Sequence, residues 1–219
     1  MLLQLVKKDF LLIKKYWLLL AILPFLSIVL VLVQSSHLIQ VSQFLGLIAF
    51  VLSVIFTIFM LYQYVLVAEL KYPKAEALLC STPYSRCSLV KARYTFLLLI
   101  FAYCCVAYNV LALLFAKIKF LTPFNYLIAL MICVILFGIY TPVQYKLGYE
   151  KTKYFFMIVI MGSPFILTLL IKINIKVNFT GVSAMPMFLQ YLIPIVAIIA
   201  ILFISMNISI KIYSKKELQ

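Results

Sequence analysis

Six long apolar runs, separated by short polar segments, constrain the fold of this chain more than any other feature. Hydrophobic residues make up 67% of the 219 residues, and only 11% are charged. A soluble domain of this size has no core large enough to bury so much apolar surface. The sequence therefore predicts an all-α integral membrane protein in which each run spans the bilayer as a helix. The six predicted spans are 16–33, 44–67, 95–116, 125–143, 154–171 and 188–210, and we expect Pro142 to break the fourth near its end.

The distribution of Lys and Arg orients these spans. Of the 19 basic residues, 15 lie before the first span, in segments 69–94 and 144–153, or in the tail after the last span, and only four lie on the opposite side. The positive-inside rule then predicts that both termini are cytoplasmic. The same rule explains the net charge of +14 without a nucleic-acid partner.

Two segments outside the spans have a periodic pattern. Residues 1–15 are too charged to span, and we expect an amphipathic helix in the membrane interface; the alternative is a charged flank that only orients the first span. The outer segment 172–187 begins with a period-two alternation over 172–180, which fits either a strand on the membrane surface or an irregular loop. The apolar face of segment 1–15 holds Leu2, Leu3, Leu5, Val6, Phe10 and Ile13, and it continues to Trp17 in the first span. The opposite face holds Gln4, Lys7, Lys8, Lys14 and Lys15, together with Leu11.

The chain lacks the residues that active transport or catalysis would need. All five acidic residues are predicted on the cytoplasmic side, so no acidic relay for ions lies within a span. One His and five Gly leave neither a catalytic triad nor a phosphate-binding loop, and the five Cys show no metal-ligand spacing. We therefore expect no catalytic, cofactor or metal site, and energy for transport would come from another subunit. The acidic residues are Asp9, Glu69, Glu76, Glu150 and Glu217.

Segment 69–94 is the longest stretch that is not simply apolar. Pro73 can open a short helix that Pro83 ends, and Ser85 can cap the helix of the third span. The short helix would expose Leu78 and Leu79 together. Such a helix fits a groove on a partner protein, whereas the alternative is a lipid-facing turn with no partner.

Two cytoplasmic segments resemble the signature of ABC-2 type permeases. Residues 69–71 read ELK and residues 76–86 read EALLCSTPYSR, similar to the pattern E-x-K…L-L-x-S-L-P-V-S-R of six-span bacterial members. Thr82 and Tyr84 differ from that pattern, and 91–94, KARY, departs from its K-Y ending. Residues 142–151, PVQYKLGYEK, are similar to the P…Y-K-F-G-Y-E-K segment of the same family. With the six spans, the resemblance covers the chain as a single domain, 1–219.

The resemblance implies a permease subunit of an ATP-driven ABC exporter in a bacterial cytoplasmic membrane. Two permeases, identical or paralogous, would pair and carry separate ATPase subunits that bind ATP and Mg²⁺, so this chain would not itself be an enzyme. The loop between the second and third spans would act as the coupling helix that enters a cleft on the ATPase; the alternative role of its residues is helix capping and charge placement. The predicted ATPase contacts are Glu76, Leu78, Leu79, Pro83 and Arg86, followed by Lys146, Gly148 and Glu150.

The cargo is expected to be an amphipathic peptide or another hydrophobic molecule, because the chain is similar to the permeases of phenol-soluble modulin exporters. Polar residues within the spans could line its path, although such residues also satisfy helix–helix hydrogen bonds. The alternative function is a non-transporting membrane scaffold or immunity protein that binds a peptide without an ATPase. The candidate path-lining residues are Ser53, Thr57, Gln63, Tyr108, Asn109 and Asn207.

Overall fold

The fold is known from a computed structural model, which describes residues 2–13, 43–71, 86–114, 120–154, 157–158, 162 and 186–215. All regular secondary structure in these residues is helical, as predicted. Residues 149–154, 157, 158 and 162 are helical in addition to five longer helices. These five are α1 (Leu2–Ile13), α2 (Gln43–Leu70), α3 (Arg86–Leu114), α4 (Pro123–Leu147) and α5 (Met187–Lys215).

Four helices, α2 to α5, are long and apolar enough to cross a membrane. They correspond to the predicted second, third, fourth and sixth spans. The predicted first span and the candidate strand at 172–180 lie outside the described residues, and so does most of the predicted fifth span. A total of six spans therefore stays a prediction.

Helix α3 begins directly after Ser85, the residue predicted to cap it, and nine residues before the predicted start of the span itself. The predicted loop 69–94 therefore shortens to residues 71–85, between α2 and α3, which we call the central loop. The helix starts at Arg86, so Lys91 and Arg93 lie on it rather than in a loop. Ala92 and Tyr94 are buried between and beside these charges. A hydropathy average combines these charged residues with their buried neighbours. It therefore places the start of the span later than the start of the helix.

The second predicted loop, 144–153, is also largely helical. Helix α4 continues to Leu147, and helix resumes at Tyr149 after a break at Gly148. Gln144, predicted to begin the loop, is buried. At the other end Pro123 occupies the first turn of α4 and Thr122 caps it, with the Thr122 hydroxyl accepting from the Asn125 N–H at 3.4 Å.

Side-chain contacts fix the direction of the long helices. Tyr145 and Tyr213, near the ends of α4 and α5, have ring centroids 5.0 Å apart. Phe124 and Tyr191, near the starts of the same helices, are 6.0 Å apart. Helices α4 and α5 therefore run parallel to each other. Helix α2 ends and α3 begins at the same end of the helix bundle, which we call the loop end. Helix α4 also ends there, because Gln144 contacts α2 as described below.

Aromatic rings fill the space between α2 and α4. Tyr62 packs edge-on against Phe137 with ring centroids 5.1 Å apart, and Phe59 packs edge-on against Tyr140 at 5.2 Å. All four side chains are at most 1% exposed. Edge-to-face pairs of this kind each add about 1 kcal/mol to the effect of burial, so they hold these helices at a defined separation.

Pro142 does not break α4, contrary to the sequence prediction. A proline within a helix leaves the carbonyl four residues earlier without its N–H donor. In this chain that carbonyl belongs to Gly138, and the Ser205 hydroxyl of α5 donates to it at 2.7 Å. A Cβ on residue 138 would lie 3.4 Å from the same hydroxyl oxygen, an ordinary van der Waals contact, so the hydrogen bond does not depend on glycine. The neighbouring helix supplies the missing donor and α4 continues.

We expect Ser205→Ala to lower the free energy of unfolding by about 1 kcal/mol, because the Gly138 carbonyl would lose its donor. Pro142→Ala restores an N–H for that carbonyl, so in the Pro142→Ala background the loss should become smaller. Equilibrium denaturation in detergent micelles measures both values. An equal loss in the two backgrounds would show that Ser205 does not compensate for the proline.

Candidate functional site

Helix α1 packs against the first turns of α3. Leu5 and Val6 are buried together with Ala92, and Leu89 packs against this group. Phe10 lies against Phe96 with ring centroids 5.2 Å apart. On α3 the contacting positions 89, 92 and 96 recur at helical spacing and form one face. The apolar face predicted for segment 1–15 is therefore covered in part by protein, and its position at a membrane surface stays a prediction.

Four ionisable residues meet where α1, α2 and α3 adjoin, and we call them the charge cluster: Lys8, Asp9, Glu69 and Arg93. The Lys8 ammonium donates to Glu69 Oε1 at 3.0 Å, and Arg93 Nη2 donates to Glu69 Oε2. The Lys8 ammonium also lies 3.3 Å from Asp9 Oδ1. The Asp9 side chain is 3% exposed and that of Arg93 11%, so the cluster is largely withdrawn from water. The cluster holds two acids and two bases, so its formal charges balance.

A layer of polar side chains lies directly beneath the charge cluster. The Arg93 guanidinium lies 5.4 Å from the centroid of the Tyr62 ring, a cation–π distance. The Tyr62 hydroxyl donates to Gln144 Oε1 at 2.6 Å. Gln63 Nε2 donates to the Tyr140 hydroxyl at 2.7 Å. These contacts connect the charge cluster to α4.

Tyr94 extends the connections to α5. Its hydroxyl lies 2.7 Å from Ser205 Oγ and 3.0 Å from Ser209 Oγ. Since Ser205 also bonds to Gly138, a single set of hydrogen bonds joins α3, α5 and α4. Polar contacts near the loop end thus link the five longer helices, α1 to α5. The side chains that make these contacts are buried or half-buried.

Gly148 forms the break that follows α4. Its φ of 80° and ψ of 172° lie in a backbone region that is essentially restricted to glycine. Its N–H donates to the Gln144 carbonyl at 2.9 Å and so closes the last turn of α4. Lys146 and Glu150 flank the break and are exposed.

The predicted ATPase contacts are therefore only partly visible. Glu76, Leu78, Leu79 and Pro83 lie outside the described residues, which end at Lys71 and resume at Arg86. Arg86 is the first residue of α3. Glu69 lies on α2 and Arg93 lies on α3, the helices on either side of the central loop. These two residues form an ion pair with each other.

The predicted path-lining residues lie in different environments. The Thr57 hydroxyl bonds to the Ser53 carbonyl in its own helix at 2.7 Å, and both residues are buried. Asn109 Oδ1 accepts from the Tyr126 hydroxyl at 2.8 Å. Gln63 and Tyr108 are buried, and Tyr108 packs edge-on against Phe50. Asn207 is exposed on α5. Only Asn207 of this set has a side chain open to a surface, and the roles of all six stay predictions.

Sequence reasoning did not identify Lys8, Asp9 and Arg93 as interacting residues. The signal that could have identified Arg93 was its spacing with Leu89, Ala92 and Phe96, which places all four residues on one face of a helix. Such a helix must begin earlier than hydropathy suggests. The cluster links three helices, because Lys8 of α1 and Arg93 of α3 both contact Glu69 of α2. In the described part of the chain, no group of three His, Cys, Asp or Glu side chains could hold a metal ion.

We expect Glu69→Leu to lower the free energy of unfolding by about 3 kcal/mol, because it leaves Arg93 buried without its carboxylate. The double variant Glu69→Leu/Arg93→Met should recover most of this loss, since it removes both charges. Lys91→Met is the matched control on the exposed side of α3 and should change stability by less than about 0.5 kcal/mol. Thermal unfolding in detergent checks all three. A double variant less stable than Glu69→Leu would contradict the ion-pair interpretation.

The comparison with known proteins identifies the family of this chain. Residues 4–214 match the family described as ABC-2 family transporter protein. No curated protein and no solved structure matches the chain. The match includes α2, α3 and α4, all but the ends of α1 and α5, and both segments on which the resemblance was based. The chain therefore belongs to the ABC-2 family of transporter proteins and is a membrane permease component of an ABC transporter.

Proposed function

We propose that this chain is the permease subunit of an ATP-driven exporter in a bacterial cytoplasmic membrane. Separate ATPase subunits would bind ATP and Mg²⁺ and contact the loop end of the helices. Family membership supports the permease role. The observation that carries the proposal is that the contacts from Glu69 to Gln144 connect the two sequence segments expected to meet the ATPase.

The contacts suggest how movement of the central loop would reach the spans. The loop is continuous with the last turn of α2 and the first turn of α3. Glu69 and Arg93 hold these two helix ends together, so a force applied to the loop moves both. The Tyr62–Gln144 hydrogen bond passes the movement to α4, whose end carries Lys146, Gly148 and the following Glu150. In this proposal ATP binding closes the ATPases, displaces the loop and rocks the helices.

The orientation follows from charge. We propose six spans with both termini and the loop end in the cytoplasm, because 15 of the 19 basic residues lie on that side. Helix α1 would then lie at the cytoplasmic membrane surface. Its exposed Lys7 would face anionic headgroups while Leu5 and Val6 hold it against α3.

The path for cargo is proposed to lie between two permeases rather than within one. Large aromatic side chains fill the space between α2 and α4, and most of the polar groups there bond to one another. Helix α5, by contrast, has apolar side chains that are more than half exposed. A surface of this kind suits both a second permease and an amphipathic peptide, the cargo class that we propose. It includes Phe188, Val196, Ile199, Phe203 and Ile204, with Asn207 on the same helix.

The proposed function predicts that the double variant Glu76→Lys/Arg86→Glu loses its ATPase. The permease is purified from its host in detergent together with its native ATPase subunits, and the amount of co-eluting ATPase is compared with wild type. We expect at least a tenfold decrease, because reversing two interface charges creates like-charge contacts that cost about 2 kcal/mol or more. The matched control is Lys117→Glu/Lys119→Glu, two reversals on the predicted outer side, which should retain the ATPase.

Two outcomes would overturn the proposal. If no ATPase accompanies the wild-type permease, the alternative of a scaffold or immunity protein replaces it. If the Glu76/Arg86 reversal leaves the ATPase bound, the central loop is not the coupling element. Gel-filtration profiles of the variants show whether each permease is still folded.

A further inference from the structure

The charge cluster contains two buried polar atoms of opposite charge that have no hydrogen-bond partner. Within the described residues these are Asp9 Oδ1 and Arg93 Nη1. The Lys8 ammonium lies 3.3 Å from Asp9 Oδ1 but is not oriented to donate a hydrogen bond to it. Arg93 uses Nη2 for Glu69 and leaves Nη1 free. A buried charged group normally satisfies every such atom, so both positions call for an explanation.

The packing brings these two residues to the same interface. On α1, Asp9 lies between Val6 and Phe10, which contact α3. On α3, Arg93 lies between Ala92 and Phe96, which contact α1. Lys8 bridges the two groups: its ammonium lies 3.3 Å from Asp9 Oδ1 and 3.0 Å from the Glu69 carboxylate that Arg93 contacts. A shift of α1 along α3 that brings Asp9 to the guanidinium would let Asp9 and Arg93 pair directly.

We propose that Asp9 is the alternate partner of Arg93, and that Arg93 exchanges Glu69 for Asp9 during the transport cycle. The proposal rests on the proposed function. In the state described here, Arg93 ties the end of α2 to α3 through Glu69. In the exchanged state, Arg93 pairs with Asp9 and Glu69 keeps only Lys8, so the end of α2 loses its direct tie to α3 and is held through α1 alone. No charge becomes unpaired in either state.

The exchange gives Asp9 a role that structural stabilisation alone does not explain. In the described state Asp9 makes one ion contact, with its own neighbour in sequence, and no hydrogen bond to Oδ1. Neutralising Asp9 removes the desolvation cost of a buried carboxylate, and Lys8 and Arg93 both keep Glu69, so stability should stay unchanged or rise. Its charge would matter only when Arg93 leaves Glu69. Asp9 is thus a positioning residue, acting on the central loop through Arg93.

The test compares Asp9→Asn with wild type in the complex of permease and native ATPase, reconstituted in lipid nanodiscs. Three quantities are measured: the amount of ATPase bound, the thermal stability, and the rate of ATP hydrolysis at saturating ATP. We expect normal binding, stability equal to or above wild type, and hydrolysis slowed about tenfold, equivalent to about 1.4 kcal/mol in a barrier. Asp9→Glu retains the charge and should restore most of the rate. Lys91→Gln, on the exposed side of α3, is the control and should behave as wild type.

The outcomes separate this inference from the function on which it rests. If Asp9→Asn binds the ATPase and hydrolyses ATP at the normal rate, the exchange does not occur and the proposed function is unaffected. If Asp9→Asn loses stability and rate together, or Asp9→Glu fails to restore the rate, Asp9 is a structural residue and the inference is wrong. If wild type binds no ATPase, the proposed function itself fails.

Discussion

The organisation of this protein depends on one constraint: inside a bilayer, a polar group must find its partner within the protein. The chain meets this constraint by pairing between helices. Ser205 supplies the donor that Pro142 removes from α4, and Tyr62 and Gln144 satisfy each other across α2 and α4. The same constraint governs the ion pairs, because Arg93 lies on an apolar helix and Glu69 neutralises it. Each pair that satisfies a buried group also fixes the position of a helix.

A permease must nevertheless change shape, and the pairs differ in how readily they permit it. The edge-to-face packing between α2 and α4 has one favourable arrangement and suits a rigid unit. The charge cluster holds four charges, and more than one arrangement can pair them. Rigid packing therefore lies along the helices, and the adaptable contacts lie where the central loop begins and ends. This division would suit the proposed transmission of movement from an ATPase to the helices.

The sequence was sufficient to predict the fold class and the family, because apolar runs and two segment patterns carry that information locally. It was less informative about helix ends. Hydropathy counted Lys91 and Arg93 as loop residues, although the buried residues between and beside them place both on α3. It also assigned a break to Pro142, because the compensating Ser205 lies far away in the chain. The charge cluster was missed for the same reason: its members come from three helices, and only packing brings them together.

The pairing of Glu69 with Arg93 has a consequence for biogenesis. Glu69 on α2 and Arg93 on α3 are each unfavourable in an apolar environment when alone. The central loop joins the two helices, so both charges arrive within a single helical hairpin. We therefore expect Glu69 and Arg93 to neutralise each other only when α2 and α3 enter the membrane together, which would couple their insertion. Because Lys8 precedes both, α1 is already synthesised when the hairpin emerges and can bind Glu69 as the last step of assembly.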